Sequence, residues 1–242
     1  MELLVVKNYE EMSKKAASII ASQVVIKPQS ILGLATGDTP LGMYKELVEK
    51  YNRNEVDFSK VKTFNLDEYY GLEKENSQSY YYYMMNNFFK FINIDKNNVN
   101  VPKGTSDDVE EDCLSYEKKI KEAGGIDIQV LGIGVNGHIG FNEPNVNFEA
   151  QTHLVELDEK TIKSNARFFN SIDEVPKKAI SMGIKTILQS KKIILLATGE
   201  SKAEAIYNTL YGKISPEIPS SILQLHQDVT IILDEEAAKK LK

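Results

Sequence analysis

The sequence predicts an α/β fold: a mainly parallel sheet covered by helices on both faces, in a Rossmann-like three-layer sandwich. Three observations predict it. Short apolar runs recur along the whole chain. Segments with helical spacing separate most of them. Glycine turns follow several of the runs directly, where a doubly wound sheet usually holds its ligand.

The elements follow in order. Leu3–Val6 reads as a first strand and Glu10–Val25 as the helix after it. Ser30–Ala35 is a second strand. Thr39 is placed to cap the next helix, Pro40 to begin it, and Leu41, Tyr44, Leu47 and Val48 keep helical register as far as Tyr51. Val61–Leu66 is a third strand, with Asp67 and Glu68 at its carboxyl end. Ser77–Phe91 is a helix whose aromatic run packs into the core; no basic residues interleave its tyrosines, as a base-stacking groove would need. Residues 93–108, rich in Asn, Asp, Lys and Gly, read as a surface loop. Val109–Ala123 is a helix and Ile126–Gly132 a buried strand. His153–Leu157, Ala179–Met182, Lys192–Thr198 and Val229–Leu233 are further strands, with a helix over Ser201–Tyr211. With no internal repeat and no long linker, residues 1–242 read as a single domain.

Bulk properties narrow the function. Hydrophobic residues are 42% of the chain and charged residues 26%, as in a soluble globular protein. The net charge of −6 argues against a broad nucleic-acid or anionic-membrane surface but permits a local phosphate site. No apolar run approaches the roughly 20 residues of a membrane span. The one cysteine, Cys113, has no partner for an intramolecular disulfide and no catalytic surroundings. It reads as structural, in a reducing cytoplasm.

Several stretches hold the chemistry. In LGIGVNGHIGFNEP, residues 131–144, an apolar strand ends in glycines around His138, with Glu143 five residues on. Histidine suits proton transfer near neutral pH, and a nearby carboxylate fixes its tautomer. Gly132, Gly134 and Gly137 formally match a dinucleotide fingerprint, but that motif needs a helix at its third glycine, and here Gly140, Asn142 and Pro144 follow. Thr36, Gly37, Asp38 and Thr39 form a strand–turn–helix start. On local features it reads equally as an anion site or as an ordinary βα turn. It is not a Walker A loop, since Met43 stands where the lysine belongs. Asp67 and Glu68 leave open a base, a metal ligand or a solvated acid. Lys202 sits at a second Thr-Gly helix start, a suitable place to hold phosphate, and Arg167 follows a short helical pattern. No ligand-spaced cluster implies a metal: His153 and His226 stand far apart on the chain.

Taken together, LGLATGDTPLGMY, FNLDEYYG, GIGVNGHIGFNEP, SNARFF and ATGESKAEA resemble the glucosamine-6-phosphate deaminases, in the family's order and across nearly the whole chain. The resemblance implies conversion of glucosamine 6-phosphate and water to fructose 6-phosphate and ammonia, in N-acetylglucosamine catabolism, with no metal and no organic cofactor. It implies that Asp67 moves a proton from C2 toward C1, that His138 opens the sugar ring with support from Glu143, and that Thr36–Thr39, Arg167 and Lys202 hold the phosphate. Arg167 would ride on a helical lid spanning roughly residues 158–185. Some family members carry Asp where this chain has Asn136, which can orient a partner but cannot shuttle protons. The allosterically activated members have extra C-terminal residues, whereas this chain stops soon after Leu233, so the resemblance implies an unregulated short form, a monomer or a homo-oligomer.

Three other readings compete. 6-Phosphogluconolactonases look related in fold but tend to place an arginine after Asp-Glu, where this chain has Tyr69. A sugar-phosphate sensor would carry a basic helix-turn-helix before the first core strand, where this chain has Glu2, Glu10 and Glu11. A dehydrogenase lacks its helix after Gly137.

Overall fold

The computed structural model describes residues 1–241. Along the chain run β1 (Glu2–Val6), α1 (Tyr9–Ile26), β2 (Ile31–Leu34), α2 (Asp38–Asn52), β3 (Lys62–Asn65), β4 (Asp67–Tyr69), α3 (Tyr80–Asn87), β5 (Val99–Asn100) and α4 (Val109–Ala123). There follow β6 (Ile128–Gly132), β7 (His153–Glu156), α5 (Glu159–Asn165), β8 (Lys178–Ser181), α6 (Ile184–Leu188), β9 (Lys192–Ala197), α7 (Ala203–Tyr211) and β10 (Val229–Asp234).

Seven strands form the main sheet in the order β1-β10-β9-β6-β2-β3-β5, and every neighbouring pair is parallel. Alternate residues of its strands feed two cores. Leu32, Leu34, Val130 and Leu196 pack with Met12, Ile20, Met43, Leu47 and Phe88 of the α1–α3 layer. Phe64, Leu131, Leu195 and Leu233 pack on the other face with Tyr116 and Ile120 of α4 and Ile206 of α7. Strands buried on both faces explain the continuous apolar runs.

The chain order sets the location of a site. From β2 the chain steps to β3 and β5 in one direction; from β6 it steps to β9 and β10 in the other. β2 and β6 are neighbours, so loops leaving their carboxyl ends diverge and open a crevice. Those loops are Thr36–Thr39 and Ile133–Asn142.

The structure corrects four expectations. First, His153–Leu157 and Ala179–Met182 are not in the main sheet. They supply β7 and β8 of a separate antiparallel sheet, ordered β4-β8-β7. In β7 Leu154 and Glu156 are exposed and His153 and Val155 half-buried, the alternation of a sheet wetted on one face, here with a leucine on the wet side. Second, Asp67 and Glu68 do not end β3. They open β4 after a one-residue break at Leu66. Third, the 93–108 loop contains β5, which closes the sheet edge against β3. Fourth, Thr39 is not the cap of α2. Gly37 is, at φ +96°, a left-handed region that only glycine enters without strain, and no side chain caps the helix. Within residues 158–185, helical turns lie at Glu159–Phe168 and Ile172–Glu174, whereas Lys178–Ser181 is framework strand.

Candidate active site

The loops after β2 and β6, the start of β4, the α5 segment and Lys202 line one cleft of about 260 Å³. Asp67 and His138 face the same cavity, together with Thr36, Gly37, Asp38, Thr39, Asn136, Arg167 and Lys202. The approach of the histidine loop to the acid is close: a Cβ placed on Gly140 would lie 3.7 Å from Asp67 Oδ2.

The two adjacent acids have different surroundings. The Glu68 carboxylate accepts backbone N–H groups from Tyr69 (2.8 Å), Tyr80 (2.8 Å) and Tyr81 (2.9 Å), so it anchors the start of α3. Burial pushes its carboxyl up to about 7, with those three donors pulling the other way. Asp67 is 7% exposed, and among the described residues its Oδ1 has no hydrogen-bond partner. Burial first, and the Glu68 charge second, push its carboxyl up to about 8. An unpartnered buried carboxyl lining a cleft is poised to hold and release a proton near neutral pH.

His138 belongs to a fully connected group. Its Nδ1 lies 3.0 Å from Glu143 Oε2. The same oxygen accepts Asn136 Nδ2 at 2.8 Å, and Asn136 Oδ1 accepts the His138 backbone N–H at 3.2 Å. Glu143 Oε1 accepts the Thr161 hydroxyl at 2.5 Å. Burial presses the Glu143 carboxyl upward, but these donors outweigh it and hold the group below the usual carboxylate range. An ionised Glu143 fixes the proton on His138 Nδ1 and leaves Nε2 for chemistry. Gly134 leaves the space the ring needs, since a Cβ there would come within 2.4 Å of the imidazole. Glu143 itself stands behind the imidazole, outside the cleft lining.

The cations gather at the other end. Arg167 sits on the turn Ala166–Phe168, with Nη2 2.8 Å from Asp38 Oδ2. The Asp38 carboxylate is therefore engaged with Arg167, and what α2 offers an anion is its uncapped first turn. Lys202 is half-buried and makes no ion pair among the described residues. Burial, then the charge of Arg167, hold its ammonium below its usual range. It ends the turn Glu200–Lys202 ahead of α7. Asp234, at the end of β10, holds that turn by accepting the Thr198 hydroxyl and the Gly199 N–H (3.0 Å). No group of three or more metal-ligating side chains lies together among the described residues.

This arrangement sets an unpartnered acid and an oriented imidazole in the same cleft as two cations. The family profile described as glucosamine-6-phosphate isomerases/6-phosphogluconolactonase matches residues 6–232. The chain belongs to this isomerase/lactonase family. Within it, the chain is 67% identical over 242 residues to a Clostridium botulinum (strain Langeland) protein named glucosamine-6-phosphate deaminase, covering all of this chain and 99% of that one. A Clostridium acetobutylicum protein of the same name is 66% identical over 241 residues, with full coverage of both. A solved monomeric glucosamine-6-phosphate deaminase superposes with a TM-score of 0.97 at 48% identity, over 99% of this chain and all of that one. A 6-phosphogluconolactonase from Leishmania guyanensis, at 20% identity, 100% and 98% coverage and a TM-score of 0.78, shares the fold.

In this family member the predicted site residues meet in one place, but three participants escape a reading of the sequence. Thr161 completes the Glu143 bonds, Asn165 donates to the Tyr69 hydroxyl at 2.8 Å, and Asp234 holds the Lys202 turn. Thr161 and Asp234 stand in no glycine turn or recognisable motif, and Asn165, though inside SNARFF, is overshadowed there by the charge of Arg167. The dinucleotide reading fails on geometry: after Gly137 the next helix begins only at Glu159.

Proposed function

We propose that the protein is a glucosamine-6-phosphate deaminase acting in amino-sugar catabolism. The observation that supports this most directly is the shared cleft: an unpartnered buried acid, an oriented imidazole and a pair of cations in one cavity.

The phosphate rests on the uncapped first turn of α2, with Arg167 and Lys202 completing its counter-charge. Held there, it supplies binding energy remote from the reacting carbons. His138 Nε2 takes the proton of the anomeric hydroxyl, and a proton returns to the ring oxygen, which opens the pyranose. Asn136 and Glu143 orient the imidazole throughout. Asp67 then removes the C2 proton and delivers it to C1, and a proton of the C2 amine passes to the aldehyde oxygen, so the aldehyde–amine pair becomes a C1 alcohol beside a C2 imine. Water adds to that imine and ammonia leaves, so the sum is glucosamine 6-phosphate plus water to fructose 6-phosphate plus ammonia.

The elevated titration of Asp67 fits this scheme. A substrate carrying a protonated C2 amine brings the counter-charge that Asp67 lacks in the empty cleft, which favours the ionised, basic form when it is needed.

The reaction needs no redox group. We place the enzyme in the cytoplasm, with free sugar phosphate as its ligand. It acts as a monomer, in keeping with its monomeric structural relative. The α5 segment bearing Arg167 serves as its lid. The deciding assay is ammonia release from glucosamine 6-phosphate, run beside hydrolysis of 6-phosphogluconolactone. Wild type releases ammonia and leaves the lactone alone, and Asp67→Asn loses roughly 10²-fold or more. Equal rates for the two proteins would remove Asp67 from the mechanism. Lactone turnover without ammonia would replace the reading.

A further inference from the structure

We propose that Thr161 is a positioning residue that ties occupancy of the phosphate end of the cleft to the His138–Glu143 pair. The inference rests on the deaminase reading above.

The argument starts from α5. This helix has only seven residues, Glu159–Asn165. A helix so short is not stable on its own, so its position is set by what its side chains hold. Thr161 is 5% exposed and donates its hydroxyl to Glu143 Oε1 at 2.5 Å. Four residues on, and so on the same helical face, Asn165 donates to the Tyr69 hydroxyl at 2.8 Å. Tyr69 lies on β4, two residues from Asp67. Two residues further, Arg167 reaches Asp38 at the start of α2. One short segment thus touches the acid–base pair, the strand of the catalytic acid and the anion site.

Thr161 holds the contact in this set that reaches the carboxylate bonded to the imidazole. Glu143 has two oxygens. Oε2 is shared by Asn136 and His138, and Oε1 is left to Thr161. With all donors present the carboxylate is satisfied and held in one orientation. Without Thr161, Oε1 loses its donor, and the carboxylate is free to turn away from the line it holds to His138 Nδ1. The imidazole then spends less time with Nε2 aimed into the cleft.

Arg167 lies six residues from Thr161, about 9 Å along a helical path at roughly 1.5 Å per residue. When Arg167 exchanges Asp38 for a sugar phosphate, the short segment that carries both residues passes the shift to the Thr161 hydroxyl. Anion capture and imidazole chemistry are thereby linked through one side chain.

The test compares Thr161→Val, which keeps the shape and deletes the hydroxyl, with Thr161→Ser, which keeps the hydroxyl. Thr161→Val lowers kcat by roughly tenfold with KM little changed. Thr161→Ser restores the rate. If Thr161→Val does not fold, Thr161→Ala against Thr161→Ser gives the same contrast. A wild-type kcat in the hydroxyl-free variant, or a Ser variant as impaired as the Val variant, overturns the proposal. An inactive wild type instead overturns the deaminase reading on which it rests.

Discussion

The guanidinium of Arg167 lies 2.8 Å from the carboxylate of Asp38, so one of the two cations in the cleft is already engaged by an acid on the first turn of α2. Both side chains are more than half exposed, at 61% and 59%. A pair so exposed is worth at most about 1 kcal/mol. It therefore acts as a weak competitor for Arg167.

Asp38→Asn removes that competitor. KM for the sugar phosphate falls by about twofold to fivefold, and inorganic phosphate inhibits more strongly by a similar factor. The same change removes an acid from a helix N-terminus and lowers stability by about 0.5 kcal/mol. Steady-state kinetics and thermal melts read the two effects separately. An unchanged KM would assign the pair no part in binding.

Asp67 predicts a pH dependence with a defined sign. As a base it must be ionised, and in the free protein it titrates at about 8. kcat/KM therefore falls as pH drops below about 8. In the substrate complex the sugar's ammonium offsets the burial, so the acid limb of kcat lies at lower pH than that of kcat/KM. Coincident limbs would deny the substrate amine any contact with this carboxyl.

The same group predicts stability. The folded value of about 8 stands above the ordinary unfolded value of about 3.9. Between these the folded state binds more protons, so stability falls as pH rises through that window and the loss is complete above it. Asp67→Asn mimics the neutral acid and avoids the loss. The variant melts several degrees higher than wild type at pH 8, and the gain shrinks toward pH 5. An activity lost together with a Tm gained marks a functional strain rather than a folding defect.

His138→Gln lowers kcat by roughly 10²-fold or more, with KM little changed. Glu143→Gln retains the imidazole but loses the charge that fixes its tautomer, and kcat falls by a smaller factor. A Glu143→Gln enzyme with full activity would show that the 3.0 Å contact is dispensable.

The phosphate end predicts a different signature. Lys202→Ala raises KM by tenfold or more, the worth of about 1.4 kcal/mol in a charge-assisted contact, and retains secondary structure. Asp234→Asn acts through the turn. It halves the acceptors available to the Thr198 hydroxyl and the Gly199 and Ala237 N–H groups. KM rises by roughly threefold to tenfold and Tm falls. A KM unmoved by Asp234→Asn would show that Lys202 keeps its place without the turn.

Much of this is legible in the sequence. The central strands β2, β6, β9 and β10 announce themselves because both faces are buried, and an unbroken apolar run has few other uses. His138, Glu143, Asp67 and Lys202 stand out because they sit at strand ends or glycine turns. The cap of α2 was misread because Thr39 has the better capping side chain, while the backbone needs the φ of +96° that Gly37 supplies. The small sheet was missed because a four-residue apolar segment says nothing about its partner: β8 pairs with β7 and with β4, more than 100 positions back.

The sequence by itself determined the layered α/β architecture, the chemical character of each loop and the residue types set in it. Those depend on periodicity, turn chemistry and side-chain pKa, all of them local. Only the tertiary structure decided which oxygen of Glu143 takes Thr161, that Arg167 faces Asp38, that Asp67 is left without a partner, and that three distant turns meet at one crevice. Those outcomes depend on strand order and on burial. Both arise from how the whole chain excludes water, and no short stretch of it contains them.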